Sequence, residues 1–362
     1  GTFSVPYDSQ RDVYMAMIDD LDAAMETLYT FASAGDGILM RDFDISSFKG
    51  DSRLWVSFAN TLKLRMAIRM SGVEPEARRI AEEAVRDMAT YGLIDANAEN
   101  LSFSSDSRQN PFYTQATSTS WQDLRSNASI VMYMNAYEDP RRASYFSKSG
   151  YDGIYVGVRA GIQNVTPTDY ATYSYPLFAE KDPVPVMYAS ESWFLRAEGA
   201  LLGWTMGDTA ENLYNTGVKT SLELWGNGSS YETYIASETA PALSYADPRN
   251  KHNVSDFGTA VSVKWADDGN ELVRIITQKW IANHMIGHEA WADVRRTGYP
   301  RLLQVVNNLS GGMWGNVDSS KGMRRLHYPQ SEYDNNRENV LKGVELLGGS
   351  DLHGTDVWWA KK

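Results

Sequence analysis

Residues 51–70, Asp-Ser-Arg-Leu-Trp-Val-Ser-Phe-Ala-Asn-Thr-Leu-Lys-Leu-Arg-Met-Ala-Ile-Arg-Met, decide the fold class. Trp55, Phe58, Ala59, Leu62, Met66 and Ile68 recur at three- and four-residue intervals, the period of a helix with one wide apolar face. After Gly72 a second periodic stretch runs from Pro75 to about Tyr91, with Ile80, Ala81, Ala84, Val85 and Met88 inward, and Gly92 is its stop signal. Large residues on the first helix and small ones on the second let two helices approach closely, so a packed hairpin is predicted over about 53–91.

The same plan recurs outward from this pair. Upstream, Pro6, Asp8 and Ser9 start a helix whose apolar positions include Val13, Met17, Leu21 and Leu28. Downstream, Ala189 to Trp204 and Asp208 to Trp225 form a second hairpin, near 187–225, across a Met206-Gly207 turn. Two further helices are expected over 270–285 and 288–296, before Gly298-Tyr299-Pro300 breaks the run. Trp55-x2-Phe58-Ala59-x2-Leu62 followed by Ala77-x3-Ala81-x2-Ala84 follows the tetratricopeptide (TPR) pattern, as does Trp193-x2-Arg196-Ala197-x2-Ala200 followed by Ala210-x3-Tyr214-x2-Gly217. The match is degenerate, and plain helical hairpins are the alternative. The first helix carries a second-helix pattern, Met17-x3-Leu21-x2-Ala24, with no first helix before it, so we expect its partner upstream and the chain to be a fragment. The fold class is therefore mostly α, a single helical domain over 1–362 built on degenerate TPR-like pairs.

Between the pairs the composition shifts. Residues 101–180 hold 14 aromatics, nine of them Tyr, separated by Gly, Ser, Asn, Thr and Pro, and this reads as a long loop-rich aromatic insertion lying across one face of the scaffold. Irregular zones at 245–269 and 309–320 are further loop candidates. The chain as a whole carries Trp 11, Tyr 21 and Phe 11, an excess of rings with a polar handle that suits half-exposed ligand platforms and also large helical cores. Within the insertion Asn110, Phe112, Tyr113, Trp121, Arg125, Tyr155 and Tyr173 mix stacking surfaces with hydrogen-bonding groups, the combination that sugar rings require. Rings that only glue the insertion to the scaffold are the bland alternative for each.

Several chemistries are excluded or weakened. Cys is absent, which removes disulfides, thiolate metal sites and a cysteine nucleophile. A net charge of −12 repels a phosphate backbone, so nucleic acid is not an expected partner. No apolar run is long enough to span a membrane. His284 and His288 stand four apart, on one face if their helix is continuous, but Met285 and Gly287 stand where a zinc hydrolase needs its Glu, directly after the first His or directly before the second, and Gly287 tends to break the helix. Asp42-Phe-Asp44-Ile-Ser46 fails as a calcium loop, with Ser47 and Arg53 where Gly and Glu are needed. No nucleophile elbow or phosphate loop is present. Neither a metal nor a cofactor is expected, and nothing points to catalysis. Arg295-Arg296 and Arg324-Arg325 read as structural, the latter paired with a carboxylate such as Glu332.

Five blocks, 51–70, 184–198, 278–282, 289–300 and 324–332, resemble in order the SusD/RagB-like outer-membrane lipoproteins of Bacteroidetes. The resemblance implies a TPR-based helical protein at the cell surface, lipid-anchored in its full-length form. Such a protein captures nutrients and passes them to a TonB-dependent SusC-like transporter, without catalysis. It leaves glycan or peptide open as ligand. The Tyr, Asn, Gln, Ser and Thr of the insertion favour a neutral polyhydroxylated glycan, and −12 argues weakly against polyanionic ones unless a patch such as Arg141-Arg142 overrides it. A glycoside hydrolase and a cytoplasmic TPR scaffold for peptides are the rival classes.

Overall fold

The computed structural model describes residues 4–105, 109–116 and 124–361. The longer helices are α1 (Gln10–Ala34), α2 (Ser52–Arg69), α3 (Ala77–Arg86), α4 (Ala128–Ala136), α5 (Ala189–Leu201), α6 (Ala210–Leu224), α7 (Glu271–Ala282), α8 (Gly287–Thr297) and α9 (Arg337–Leu347). Two short antiparallel pairs accompany them: β1 (Leu101–Phe103) with β2 (Val184–Met187), and β3 (Ala242–Tyr245) with β4 (Val254–Thr259). The class is mostly α, as expected.

Local chemistry sets the helix starts. Ser9, Asp51, Asn127 and Thr209 cap α1, α2, α4 and α6, each side chain accepting a backbone N–H of the first turn. The third predicted helix is interrupted at Asp87 and resumes as the short helix Met88–Tyr91, closed by Gly92 at φ 76°. The helix expected over 270–285 ends at Ala282, because Met285 sits at φ 72° and turns the chain into α8. His284 and His288 therefore do not share a helical face. His284 is buried, its ring stacked on Tyr145 at 4.0 Å, while His288 is exposed.

The hairpins pack as their residue sizes predict. α2 lies on α3 and α5 on α6, and α2 also packs on α5, so the two pairs are joined. At Gly217 a Cβ would stand 3.0 Å from the ring of Phe194, so the closest approach of α5 and α6 depends on that glycine. One large core links α2 to α7 through Leu64, Ile80, Val131, Phe194, Tyr214 and Ile275.

The insertion is clamped at its base by β1 and β2, with Leu101 opposite Met187. It does not simply lie across a face: α4 sends Val131, Met132, Tyr133 and Met134 into the main core. Its tyrosines explain much of the ring excess. The hydroxyls of Tyr133, Tyr137 and Tyr145 donate to the backbone oxygens of Arg301 (3.1 Å), Val261 (2.9 Å) and Ile281 (3.0 Å). Each thus fills a core site and satisfies a carbonyl, of irregular chain at Arg301 and Val261 and of the last turn of α7 at Ile281.

Candidate functional site

Residues of four of the five sequence blocks, 51–70, 184–198, 278–282 and 289–300, meet in a buried charge network. Arg65 of α2 donates to Glu191 of α5 at 2.8 and 2.7 Å, and Arg69 pairs with Glu289 of α8. Lys279 of α7 meets Asp293 of α8 at 2.9 Å, and Arg296 bridges Asp293 (3.2 Å) and Glu198 (2.8 Å). Four cations thus face four carboxylates. Burial opposes the Asp293 charge, yet Lys279 and Arg296 outweigh it and hold that carboxyl below its ordinary range. This network fastens α7 and α8 to α2 and α5 and fixes the wall of the cavity beyond.

That cavity, of about 910 Å³, opens where the chain breaks between α7 and α8. Loops at 298–305 and 319–324, the start of α4 and the C-terminal stretch near 356–360 complete it. Phe257, Trp280 and Trp291 supply half-buried aromatic surface. Trp291 is oriented by its indole N–H, which donates to Met323 O at 3.0 Å. Asn283, 2% exposed, lines the cavity with neither its amide oxygen nor its amide nitrogen partnered among the described residues. A buried amide without partners is costly, which makes it a ready contact for a polar ligand or water. His284 beside it cannot act as an acid: burial pushes its pKa down to about 3 and the ring is neutral. Among the described residues no three potential ligands cluster to hold a metal.

The residues singled out in the insertion lie elsewhere, in separate groups. Asn110 is buried and caps the short helix Pro111–Ala116 by accepting from Phe112 N at 2.8 Å, while its amide donates to Asp182 O. Phe112 stacks on Phe178 at 5.5 Å beside half-buried Tyr113. Arg125 donates to the carbonyls of Tyr170 (2.9 Å) and Ala171 (3.2 Å). Tyr173 is buried against Tyr170 at 4.8 Å with its hydroxyl on Asp247. Tyr155 lines a second cavity of about 370 Å³ with Asn135, Arg142 and Tyr245. Trp121 lies outside the described residues. None of the six others lines the larger cavity. Sequence reasoning passed over Trp280, Asn283 and Trp291 as binding residues, although Trp280 and Trp291 stand inside blocks that carry the family resemblance.

Two charge assignments change. Arg324 and Arg325 pair with Asp356 and Asp351, not with Glu332, which accepts from Tyr7 at 2.5 Å. Arg141 forms no surface patch with Arg142: it is 0% exposed, bound to Asp139 and Gln278, so it offers nothing to an acidic glycan.

A family model described as Susd and RagB outer membrane lipoprotein matches residues 1–360. A chitin-binding SusD homolog from Flavobacterium johnsoniae superposes with a TM-score of 0.91 at 40% identity, over 99% of this chain and 74% of that one. A SusD homolog from Bacteroides uniformis gives 0.90 at 41% over 99% and 74%, and a SusD-like protein from Bacteroides thetaiotaomicron 0.89 at 41% over 100% and 75%. No curated protein matches the chain. Among the described residues no helix is long and apolar enough to cross a membrane. With the match running over residues 1–360 and residues of four blocks converging in one buried network, the chain belongs to the SusD-like family of outer-membrane lipoproteins.

Proposed function

We propose that the protein binds glycans at the cell surface and delivers them to a SusC-like TonB-dependent transporter, with the cavity between α7 and α8 as the binding site. The observation that carries the reading is the pairing of three aromatic rings with the unpartnered amide of Asn283 in one cavity of about 910 Å³. Sugar rings stack their apolar faces on indole and phenyl surfaces while their hydroxyls take hydrogen bonds. The likeness to a chitin-binding relative supports the same class. Hydrolysis needs a pair of carboxylates, and among the described lining residues only Asp356 carries one, already paired with Arg324, which favours binding without catalysis. Within the insertion, Asn110, Arg125 and Tyr173 are occupied in holding backbone and neighbours. Phe112, Tyr113, Trp121 and Tyr155 are proposed for an outer subsite on the chemistry of their rings.

Calorimetric titration with chito-oligosaccharides, other glycans and peptide mixtures tests the reading, alongside Trp291→Ala and Trp121→Ala. Glycan binding that Trp291→Ala lowers by roughly tenfold is expected, since stacking on one ring is worth about 0.5–1.5 kcal/mol beyond the area it buries. Tight peptide binding with no glycan response overturns the ligand class, and accumulating reducing ends decide for a hydrolase. Recovery of the native protein in the cytosol instead of with a barrel transporter defeats the delivery role.

A further inference from the structure

The cavity wall has a charge imbalance at odds with the acidic chain around it. Arg295, Arg301, Lys321 and Arg324 line it against one carboxylate, Asp356. Asp356 is matched by Arg324, and the other three cations have no carboxylate within ion-pair distance among the described residues. Arg301 and Lys321 are exposed, but Arg295 is half-buried. Its guanidinium lies between Trp291, 3.5 Å from the ring centroid, and Trp359, at 4.6 Å. Its Nη1 donates to Arg324 O at 2.9 Å and its Nε to Trp291 O at 3.4 Å, while Nη2 finds no acceptor among the described residues. Burial and the neighbouring Arg69 and Arg324 pull its pKa down to about 10. A half-buried cation crowded by like charge lacks a counter-ion that the protein itself does not supply. Arg301 stands on the same wall with its guanidinium 5.1 Å from the Phe257 ring centroid, so cation and aromatic surface are presented together.

We propose that the cavity takes a sugar ring bearing an anionic substituent, a carboxylate or a sulfate ester, with the ring against the aromatic wall and the anion on Arg295 and Arg301. This rests on the glycan reading of the cavity and departs from the neutral ligand that the composition of the insertion suggests. Arginine suits the task because its planar fork meets a carboxylate or sulfate through two parallel N–H donors. The net charge of −12 keeps anions off the rest of the surface, so the preference is local to this wall.

The test is calorimetry on the protein with four probes of matched length: oligogalacturonate, chondroitin sulfate oligosaccharide, neutral chito-oligosaccharide and oligoglutamate, at low and at moderate salt. One or both anionic glycans bind roughly tenfold more tightly than the neutral one, as charge-assisted hydrogen bonds allow. That preference shrinks with salt and disappears in Arg301→Gln, while Arg78→Gln, on the exposed side of α3, leaves it in place. Which anionic glycan responds separates carboxylate from sulfate. Neutral and anionic glycans binding equally, both lost in Trp291→Ala, overturns the charge assignment and leaves the glycan reading standing. No binding of any glycan brings both down. Oligoglutamate binding alone overturns the proposal in favour of an acidic peptide.

Discussion

Arg65 and Glu191 meet through two parallel hydrogen bonds, Nε to Oε1 at 2.8 Å and Nη2 to Oε2 at 2.7 Å, with side chains 8% and 0% exposed. The residues are 126 apart in sequence, and their contact ties the first helical pair to the second. Taking both charges from water costs several kcal/mol each, so the pair is valuable chiefly as a constraint on which helices meet and in what register.

Removing one partner exposes that cost. Glu191→Gln keeps the shape of the side chain and leaves Arg65 without its main counter-ion, and a destabilisation of about 3–5 kcal/mol is expected. Urea unfolding with an unchanged slope and a lower midpoint is the measurement. Arg65→Met combined with Glu191→Leu recovers most of the loss, and a double variant as unstable as the single one rejects this account.

Gly217 is a packing requirement, not a helix defect. In Gly217→Ala the new methyl meets the Phe194 ring 3.0 Å away, so that ring or α6 must shift. Overpacking of this kind costs about 1–3 kcal/mol. Since Ala favours helix by about 1 kcal/mol over Gly, any net loss in thermal unfolding understates the clash.

His284 predicts an acid-side loss of stability. Burial holds its folded pKa at about 3, below the ordinary imidazole value, so in the window between that ordinary value and about 3 the unfolded chain binds a proton that the folded chain refuses. Stability therefore falls as pH drops through this window, by up to about 1.4 kcal/mol per pH unit from this group. His284→Phe, which preserves the stack on Tyr145, flattens the pH dependence. An unaltered slope in denaturant titrations from pH 6.5 to 4 is the contrary result.

Asn283 sets stability against binding. Its buried amide has no partner among the described residues, which is costly, so Asn283→Leu raises stability by about 1 kcal/mol while weakening glycan binding. Thermal shift and calorimetry on the same variant read the two effects. A variant that is both less stable and unchanged in affinity removes Asn283 from the site.

The helices were legible because their determinants are local. Apolar residues three and four apart define each face, Ser9, Asp51 and Thr209 supply caps, and Gly217 opposite a large first-helix side places a small residue where two helices touch. The Tyr-rich insertion was legible as composition, but the purpose of its rings was not. Whether a tyrosine hydroxyl reaches a sugar or, like that of Tyr145, the carbonyl of Ile281 depends on a residue 136 positions away. The break between His284 and His288 was signalled by Gly287, yet the positive φ falls at Met285, where side-chain type alone gives no warning.

By itself, then, the order of residues determined an α-helical chain, its hairpins and its family, since periodicity, capping and block order are properties of neighbours along the chain. Only the tertiary structure decided that Arg324 pairs with Asp356, that Arg141 is buried with Asp139, and that Trp280, Asn283, Trp291 and Arg295 surround one cavity. A void and an unmatched charge are defined by what fails to reach a point in space, and that follows from the packing of every element around it, not from any one segment.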